Sequence, residues 1–131
     1  MPVTRKNILL VEDYEPNVLV AGALLEQLGY NYDVAENGVS ALRKFVQGNY
    51  EVILMDVQMN ELDGLEATRR IRSLEKDRTL PHTPIIAMTA HAREQDRATC
   101  IEAGMDDFIP KPFNSMLLAE KLATYIRNAK K

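Results

Sequence analysis

The stretch ILLVEDYE, residues 8–15, joins an apolar run of four residues directly to acidic residues. The apolar run, which ends at Val11, has the composition of a buried strand. Glu12 and Asp13 follow at once, and Glu15 comes shortly after. Adjacent like charges at the end of a buried strand are unfavourable unless a positive group meets them. The stretch therefore predicts a buried strand with a charged site at its carboxyl end.

Short apolar runs alternate with longer amphipathic segments along the rest of the chain. Unbroken apolar runs between turn residues indicate strands that are buried on both faces, and a 3.6-residue period indicates helices. The predicted strands are Lys6–Val11, Tyr32–Ala35, Glu51–Met55, Pro84–Met88 and Asp107–Pro110. The predicted helices are Pro16–Leu28, residues 38–48, Gly64–Leu74, Ala92–Ala103 and Ser115–Asn128. Alternating strands and helices predict an α/β fold, with a doubly wound parallel sheet covered by helices on both faces.

Two predicted segments lack the apolar residues that anchor the rest of the fold. In the fourth helix, Ile101 is the only large aliphatic residue before Gly104, so we expect this helix to be able to shift. Cys100, the single cysteine, excludes an internal disulfide and is predicted to be a small core or boundary residue. The polar stretch Ser73–Thr83 is predicted to be a solvated connector in which His82 is exposed.

Length and composition limit the class of protein. The 131 residues, 46% of them hydrophobic and 27% charged, predict one globular domain over residues 1–131, with a core from about 6 to 127. The net charge of −3 does not suggest a nucleic-acid surface, so we expect no direct nucleic-acid binding. No apolar run approaches the length of a signal peptide core or a membrane span. We therefore predict a cytoplasmic protein without a membrane segment.

Polar side chains stand at the carboxyl ends of four predicted strands. Glu12 and Asp13 end the first strand, Asp56 the third and Thr89 the fourth, and Lys111 follows the fifth. Because these ends should share one edge of a parallel sheet, we expect the five side chains to converge. Three carboxylates and one ammonium leave an excess of negative charge that favours a cation. Mg²⁺ prefers oxygen ligands and accepts phosphate oxygens, whereas the sequence has no His/Cys cluster for zinc. The sequence thus predicts a magnesium site.

Each of these residues, taken alone, has an ordinary structural interpretation. An acidic pair after a strand commonly caps a helix or faces solvent, and Glu15 would also serve as a cap at the same helix start. Asp56 could cap a turn, Thr89 could face solvent, and Lys111 could be a surface lysine before a proline. The functional interpretation depends on their joint occurrence at successive strand ends.

Four segments, VEDYEPN, VILMDVQMNELDG, PIIAMTAHA and AGMDDFIPKPF, resemble the receiver domain of two-component response regulators. The resemblance extends from about Lys6 to Arg127. It implies a flavodoxin-like, five-stranded parallel sheet in the order 2-1-3-4-5, which flavodoxin and the chemotaxis receiver share. It also implies a signalling phosphoacceptor of two-component or phosphorelay systems, which is not an enzyme in the usual sense. The amino-acid sequences of the last three segments most resemble those of hybrid histidine kinase receivers.

The resemblance implies a role for the charged residues of the predicted site. Asp56 matches the phosphoacceptor, and Glu12 and Asp13 match the acidic pair that binds Mg²⁺. Asp56 itself and the backbone carbonyl of Gln58 are implied as further Mg²⁺ ligands. Lys111 matches the lysine that pairs first with the aspartate and later with the phosphoryl group.

The resemblance also implies residues that control switching and phosphoryl lifetime. Thr89 matches the switch hydroxyl and Phe108 the switch aromatic position. Gln58 and His91 match positions that flank the attacking water and tune the lifetime, although His91 could instead be an exposed residue at a helix start. Asn60 departs from the family, which usually has proline there, so we expect a less rigid loop and altered kinetics or coupling.

The family resemblance implies the kind of partner as well. The phosphoryl donor should be a phosphohistidine on a histidine kinase or a histidine phosphotransfer protein, and the downstream protein partner is unknown. The fourth helix, fifth strand and last helix are predicted to form the partner face. The chain is expected to be a monomer that could dimerise on activation. The opening MPVTRKN favours a free-standing regulator over a receiver cut from a hybrid kinase.

Three other functions have specific sequence requirements. A flavin-binding, flavodoxin-like protein would need a hydroxyl- and glycine-rich phosphate loop where this chain has EDYEPN. An aspartate phosphatase would carry its nucleophile on the first strand with a second acid two residues later, whereas Glu12 and Asp13 are adjacent. A pseudo-receiver that binds partners without phosphorylation is disfavoured by the intact set of five residues.

Overall fold

A computed structural model of the chain describes residues 8–48, 50–57, 63–89, 94–111 and 114–130, with side chains as far as Ile126. The strands are β1 (Ile8–Val11), β2 (Tyr32–Ala35), β3 (Val52–Asp56), β4 (Ile85–Thr89) and β5 (Asp107–Pro110). The helices are α1 (Glu15–Gln27), α2 (Gly38–Gln47), α3 (Gly64–Asp77), α4 (Glu94–Ala103) and α5 (Ser115–Lys130). This sequence of elements confirms the predicted alternation. None of the helices in these ranges has the length and hydropathy that a membrane crossing requires.

The strands form one parallel sheet in the order β2-β1-β3-β4-β5, which confirms the predicted topology. Val11 is in register with Ala35 on one side and with Met55 on the other. Thr89 is in register with Pro110. The parallel register therefore brings the last residues of the strands to one edge, which we call the carboxyl edge. The opposite edge, where the strands begin, is the amino edge.

Apolar side chains pack on both faces of the sheet. Successive strand residues point to opposite faces, so that Leu9 and Ile53 belong to one core cluster and Ile8 and Leu54 to the other. Helices α2, α3 and α4 cover the first cluster, and α1 and α5 cover the second. Strands covered on both faces explain why the sequence reads as unbroken apolar runs rather than as alternation.

Local sequence determines where several helices begin and end. The side chains of Asn37 and Asp63 cap α2 and α3, each accepting a hydrogen bond from the backbone N–H three residues further on, at 2.8 and 2.9 Å. Gly29 follows α1 with φ of 90°, and Gly104 follows α4 with φ of 113°. Such angles strain any residue with a Cβ, so glycine suits these helix ends.

The start of α1 differs from the prediction. Its N-cap residue is Tyr14, which makes no side-chain capping hydrogen bond. The predicted capping role of Glu15 is wrong, because Glu15 lies inside the first turn. A carboxylate in that position still interacts favourably with the helix N-terminus. The carboxylate of Glu12 instead accepts a hydrogen bond from the Tyr14 N–H at 3.2 Å.

Boundaries of β3, β4 and α3 also differ from the prediction. Both strands end one residue later than predicted, so Asp56 and Thr89 are the last residues of β3 and β4. Helix α3 continues to Asp77, inside the stretch predicted to be a solvated connector. That prediction is wrong for Glu75, which is buried. The predicted exposure of His82 is confirmed, since 57% of its side chain is accessible.

Candidate functional site

The carboxyl edge brings together the residues that the sequence predicted to meet there. Glu12 and Asp13 follow β1, Asp56 ends β3, Thr89 ends β4 and Lys111 follows β5. These four strands are successive neighbours in the sheet. The site is therefore a row of strand ends, and residues that are far apart in the sequence become adjacent.

Lys111 lies between two of the carboxylates. Its Nζ is 3.0 Å from Glu12 Oε1 and 3.2 Å from Asp56 Oδ1. Its backbone N–H donates to the carbonyl oxygen of Thr89 at 2.8 Å, which fixes the chain after β5 against the end of β4. One ammonium thus faces two carboxylates, and the predicted pairing of Lys111 with Asp56 is present in the geometry.

The two carboxylates that face Lys111 are shielded from solvent. Glu12 is 2% exposed and Asp56 is 3% exposed. The pKa of Asp56 is raised from 3.8 to about 7: burial is the largest cause and the neighbouring Glu12 carboxylate contributes, while Lys111 opposes the rise. Desolvation and like charge both disfavour the ionised form. A further cation at this edge would shift the balance back toward the carboxylate.

The acidic residues fit a hard divalent cation. One carboxylate oxygen from each of Glu12, Asp13 and Asp56 lies within 4.8 Å of the others. Glu12 Oε1 is fully buried, and among the described residues it has no hydrogen bond of suitable geometry in spite of the nearby ammonium. Such a buried, unsatisfied oxygen is costly and would be satisfied by a metal ligand bond. Asp13 is exposed, so the group is open to solvent on one side.

A cavity of about 290 Å³ opens beside the acidic pair. It is lined by Glu12, Asp13, Glu15, Val18, Val34 and Glu36. A water molecule occupies about 30 Å³ of liquid volume, so the cavity has room for the waters that Mg²⁺ normally retains. Its negative lining favours a hydrated cation over a free anion.

The two residues that the resemblance assigns to switching lie on the strands nearest Lys111. Thr89 is buried at the end of β4. Phe108 is half-buried on β5 and packs against the core cluster beneath α2, α3 and α4. The guanidinium of Arg97, on α4, lies 4.3 Å from the centroid of the Phe108 ring. The contact of Arg97 was not predicted, because nothing in an isolated arginine on an exposed helix face indicates which ring it will contact.

Three of the predicted positions lie outside the described residues. They are Gln58, which was expected to supply a backbone ligand and to tune phosphoryl lifetime, His91, which was expected to tune lifetime, and Asn60, the departure from the family pattern. The predictions for these positions therefore stay as predictions.

The family model of the response regulator receiver domain matches residues 8–123. Hybrid signal transduction histidine kinase B of Dictyostelium discoideum is 43% identical over 118 residues, which cover 84% of this chain and 6% of that protein. The aerobic respiration control sensor protein ArcB of Escherichia coli K12 is 40% identical over 114 residues, which cover 87% of this chain and 14% of that protein. The chain thus spans only a small part of the length of either relative.

Solved structures of receiver domains are also similar to this chain. The receiver domain of sensor histidine kinase PA1611 from Pseudomonas aeruginosa PAO1, which has a magnesium ion coordinated in its active site cleft, is 41% identical with a TM-score of 0.84. The alignment covers 95% of this chain and 99% of that one. The receiver domain of Ssk1 from Saccharomyces cerevisiae, in its co-crystal with the histidine phosphotransfer protein Ypd1, is 28% identical with a TM-score of 0.87. That alignment covers 98% of this chain and 94% of that one.

The family match covers nearly all of the described fold. The strand order agrees with it, and so does the acidic group at the carboxyl edge. The chain therefore belongs to the response regulator receiver family, whose members act in two-component and phosphorelay signalling.

Proposed function

We propose that the chain is a phosphoacceptor that takes a phosphoryl group from a phosphohistidine onto Asp56. The arrangement of Lys111 against Glu12 and Asp56, at 3.0 and 3.2 Å, is the observation that carries this proposal. A structural ion pair needs one acid for each lysine, whereas Asp13 brings a third carboxylate to the same place. An excess of buried negative charge lowers stability and is retained where it serves a reaction.

Asp56 supplies the nucleophile. One of its carboxylate oxygens forms a bond to phosphorus while the bond from phosphorus to the imidazole nitrogen breaks. The electron pair of the broken bond stays on the imidazole nitrogen, and the donor histidine leaves in its neutral form after proton exchange with water. The nucleophile must be ionised, and Lys111 favours this form by lowering the pKa that burial raises.

Lys111 and Thr89 act on the group that is transferred. The Lys111 ammonium is placed to stabilise negative charge on the phosphoryl oxygens in the transition state and in the product. The Thr89 hydroxyl is proposed to donate a hydrogen bond to a phosphoryl oxygen. The hydrogen bond of 2.8 Å between the Lys111 N–H and the Thr89 carbonyl holds these two residues in a fixed relation.

Glu12, Asp13 and Asp56 would hold Mg²⁺, with the backbone carbonyl of Gln58 as a further proposed ligand. When bound, the ion offsets the repulsion between the carboxylate and an incoming phosphoryl group. The magnesium ion in the cleft of the PA1611 receiver domain supports this assignment. Glu12 Oε1 also supports it, because this buried oxygen has only the Lys111 ammonium at 3.0 Å and no hydrogen bond of suitable geometry among the described residues, and a metal ligand bond would satisfy it.

The donor is proposed to be a histidine kinase or a histidine phosphotransfer protein. The hybrid and sensor histidine kinases among the relatives support a kinase pathway. The structural similarity to the Ssk1 receiver domain, which was crystallised with the phosphotransfer protein Ypd1, supports a phosphorelay. The downstream partner is a further protein that recognises the phosphorylated form.

Phosphorylation is proposed to change the face formed by α4, β5 and α5. The Thr89 hydroxyl moves toward the phosphoryl group, and the Phe108 ring occupies the space that it leaves. This displacement biases two conformations only if their hydrogen bonds and packing differ. Gln58 and His91 are proposed to set the lifetime of the aspartyl phosphate.

Intact-protein mass spectrometry tests the phosphoacceptor proposal. Incubation with acetyl phosphate and Mg²⁺, or with a phosphorylated histidine phosphotransfer protein, should add one phosphoryl group to the wild-type chain. Asp56→Asn should remove this addition completely. Asp77→Asn is a matched control, since it makes the same change at an exposed aspartate of α3 and should leave the addition intact.

Two results would exclude the proposal. An Asp56→Asn variant that still gains the phosphoryl group would show that the acceptor is a different residue. A wild-type chain that gains none from either donor, but binds a phosphotransfer protein equally well with and without Mg²⁺, would indicate a phosphorylation-independent interaction module.

A further inference from the structure

Helix α3 begins in direct contact with the backbone of the proposed phosphoacceptor. A Cβ added at Gly64, the first residue of the helix, would lie 2.2 Å from the carbonyl oxygen of Asp56. It would also lie 3.0 Å from the Asp56 carbonyl carbon and from the Cα of Val57. The Gly64 N–H donates to the Val57 carbonyl oxygen at 3.2 Å. The first turn of α3 thus packs on the main chain that carries the Asp56 carboxylate.

Glycine is needed at position 64 for space and not for its backbone conformation. Gly104 has φ of 113°, which by itself explains a glycine there, whereas Gly64 is helical and its φ is not positive. Glycine is a poor helix former, so a helical position is otherwise better filled by a residue with a side chain. The close approach to Asp56 therefore accounts for the missing side chain.

Helix α3 is held along its length, which limits how far its first turn could move away from β3. Its buried residues recur along one face and are Gly64, Ala67, Thr68, Ile71 and Glu75. The Thr68 hydroxyl donates to the Gly64 carbonyl oxygen at 2.8 Å. Further along the helix, Arg72 donates to the Gly104 carbonyl oxygen at 2.9 Å and to Asp106 at 2.8 Å. A displacement of Gly64 would disturb these contacts.

The backbone of Asp56 is also held by β4. Asp56 is in register with Met88, and the Val57 N–H donates to the Met88 carbonyl oxygen at 3.2 Å. The Asp56 carboxylate lies 3.2 Å from Lys111 Nζ. Because this backbone carries the carboxylate, a shift of the backbone changes the distance between the carboxylate and the ammonium.

We propose that Gly64 is a positioning residue for phosphoryl transfer. Its contact with the Asp56 backbone sets where the carboxylate stands relative to Lys111. A Cβ at this position would have to separate from the Asp56 carbonyl oxygen by about 1 Å to reach an ordinary contact. A misplacement of this size in a reacting group costs up to about 10²-fold in rate. The effect on phosphoryl transfer rests on the proposed function, whereas the effect on the placement of the carboxylate does not.

The rate of phosphorylation by acetyl phosphate tests the consequence for the reaction. This small donor reports on the site itself, without a protein that must dock. At saturating Mg²⁺, Gly64→Ala should gain the phosphoryl group about ten- to a hundredfold more slowly than wild type, as followed by intact-protein mass spectrometry. Circular dichroism establishes that the variant is folded under the conditions of the assay.

Gly22→Ala is the matched control. Gly22 is a buried glycine of α1, where an added Cβ would lie 2.3 Å from the Tyr32 hydroxyl oxygen. The group in its way is the tip of a side chain, which rotates aside, and not the backbone of Asp56. The control therefore makes the same substitution in a helix at a similarly close contact, and its phosphorylation rate should stay within about twofold of wild type.

NMR of the unmodified, metal-free chain tests the placement of the carboxylate directly. The resonances of Asp56 Cγ and Lys111 Cε should shift in Gly64→Ala and stay at their wild-type positions in Gly22→Ala. A loss of stability alone does not move the resonances of the folded state. Unchanged Asp56 and Lys111 resonances in folded Gly64→Ala, or a wild-type phosphorylation rate, would overturn the positioning role.

A milder pair of variants tests the same contact if Gly64→Ala does not fold. Thr68→Val removes the hydroxyl that fixes the Gly64 carbonyl and should slow phosphorylation about two- to fivefold, the scale of one hydrogen bond. Thr68→Ser keeps the hydroxyl and should restore the wild-type rate. Equal rates for Thr68→Val and wild type would then overturn the proposal.

The two proposals fail in different ways. If wild type gains no phosphoryl group on Asp56, the proposed function is wrong, and the Asp56 and Lys111 resonances still decide whether Gly64 places the carboxylate. If wild type is phosphorylated and folded Gly64→Ala reacts equally fast, the proposed function stands and the positioning role of Gly64 is wrong.

Discussion

The two edges of the sheet each hold a cluster of charged side chains, and the clusters differ in how fully their members are paired. At the amino edge, all four carboxylate oxygens of Glu75 and Asp106 have a partner within 2.8 Å, supplied by Arg72, His82 and a backbone N–H. Arg72, Glu75 and Asp106 each make two or more hydrogen bonds or ion pairs in this cluster.

At the carboxyl edge three carboxylates surround one ammonium, and Glu12 Oε1 lacks a hydrogen bond among the described residues. Both clusters join separate elements, so proximity alone does not distinguish a structural cluster from a functional one. The distinguishing feature is the balance of charge and of hydrogen bonds. A balanced cluster stabilises the fold, whereas an excess of one sign lowers stability until a ligand supplies the missing charge.

Breaking the amino-edge cluster should have the largest effect on stability. Arg72→Met leaves the carboxylates of Glu75 and Asp106 without their shared cation. We expect a loss of about 3 kcal/mol in the free energy of unfolding, since removing one partner of a mostly buried ion pair strands the other charge. Urea denaturation at pH 7 measures it, with Arg69→Met as the control, which should stay within about 0.5 kcal/mol of wild type. A loss below 1 kcal/mol for Arg72→Met would contradict the structural role.

The carboxyl-edge cluster could be predicted from the sequence, whereas the amino-edge cluster could not. Residues at the carboxyl edge follow apolar runs directly, so the strand ends and the parallel topology together predict that Glu12, Asp56 and Lys111 meet. Their roles came from the family resemblance. At the amino edge Arg72 and Asp106 are separated by 34 positions and lie in a helix and a turn, where no period links them.

The prediction that Ser73–Thr83 is a solvated connector was wrong at Glu75 for the same reason. Residues 73–83 are mostly polar, and polarity usually indicates exposure. Here Glu75 is buried because Arg72 and the Thr83 N–H satisfy both of its oxygens, at 2.8 and 2.7 Å. Tertiary hydrogen bonds of this kind decide the burial of a polar residue, and they are invisible to pattern and composition.

Relieving the excess charge at the carboxyl edge should stabilise the chain. The pKa of Asp56 is raised from 3.8 to about 7, so its ionisation costs more in the folded chain than in the unfolded one. That cost is absent below about pH 4, grows between pH 4 and 7, and is complete above pH 7. In metal-free buffer, Asp56→Asn should therefore gain about 2 kcal/mol over wild type at pH 8 and almost nothing at pH 4.

Urea denaturation of both proteins across this pH range measures the gain, and Asp77→Asn provides the matched control. The full rise in the pKa of Asp56 would correspond to a larger gain in the free energy of unfolding. The gain is smaller because Asp56→Asn also loses the ion pair between Asp56 and Lys111. A gain that does not depend on pH, or a variant that is less stable than wild type at pH 8, would show that the carboxyl edge is balanced without a ligand.

Magnesium should stabilise the wild-type chain through the same edge. At a concentration ten times its dissociation constant, a ligand that binds only the folded state adds about 1.4 kcal/mol. Asp13→Asn removes the exposed member of the acidic group and should shift the Mg²⁺ response to higher concentration. Thermal unfolding over a Mg²⁺ titration measures both, with Asp77→Asn as the control that should keep the wild-type response. Identical Mg²⁺ titrations for wild type and Asp13→Asn would show that Asp13 does not contribute to binding of the ion.

The smallest effect is expected at the exposed margin of the amino-edge cluster. His82 Nε2 lies 2.8 Å from Asp106 Oδ1, as close as the Arg72 contact, but its side chain is 57% exposed against 17% for Arg72. Solvent screens such a pair and competes for both groups, so we expect His82→Ala to lower the free energy of unfolding by less than about 0.5 kcal/mol. Paired urea titrations of His82→Ala and Arg72→Met resolve this difference. Equal losses of stability would mean that distance, not burial, sets the strength of these contacts. The exposed His82 would then stabilise the amino-edge cluster as much as the mostly buried Arg72 does.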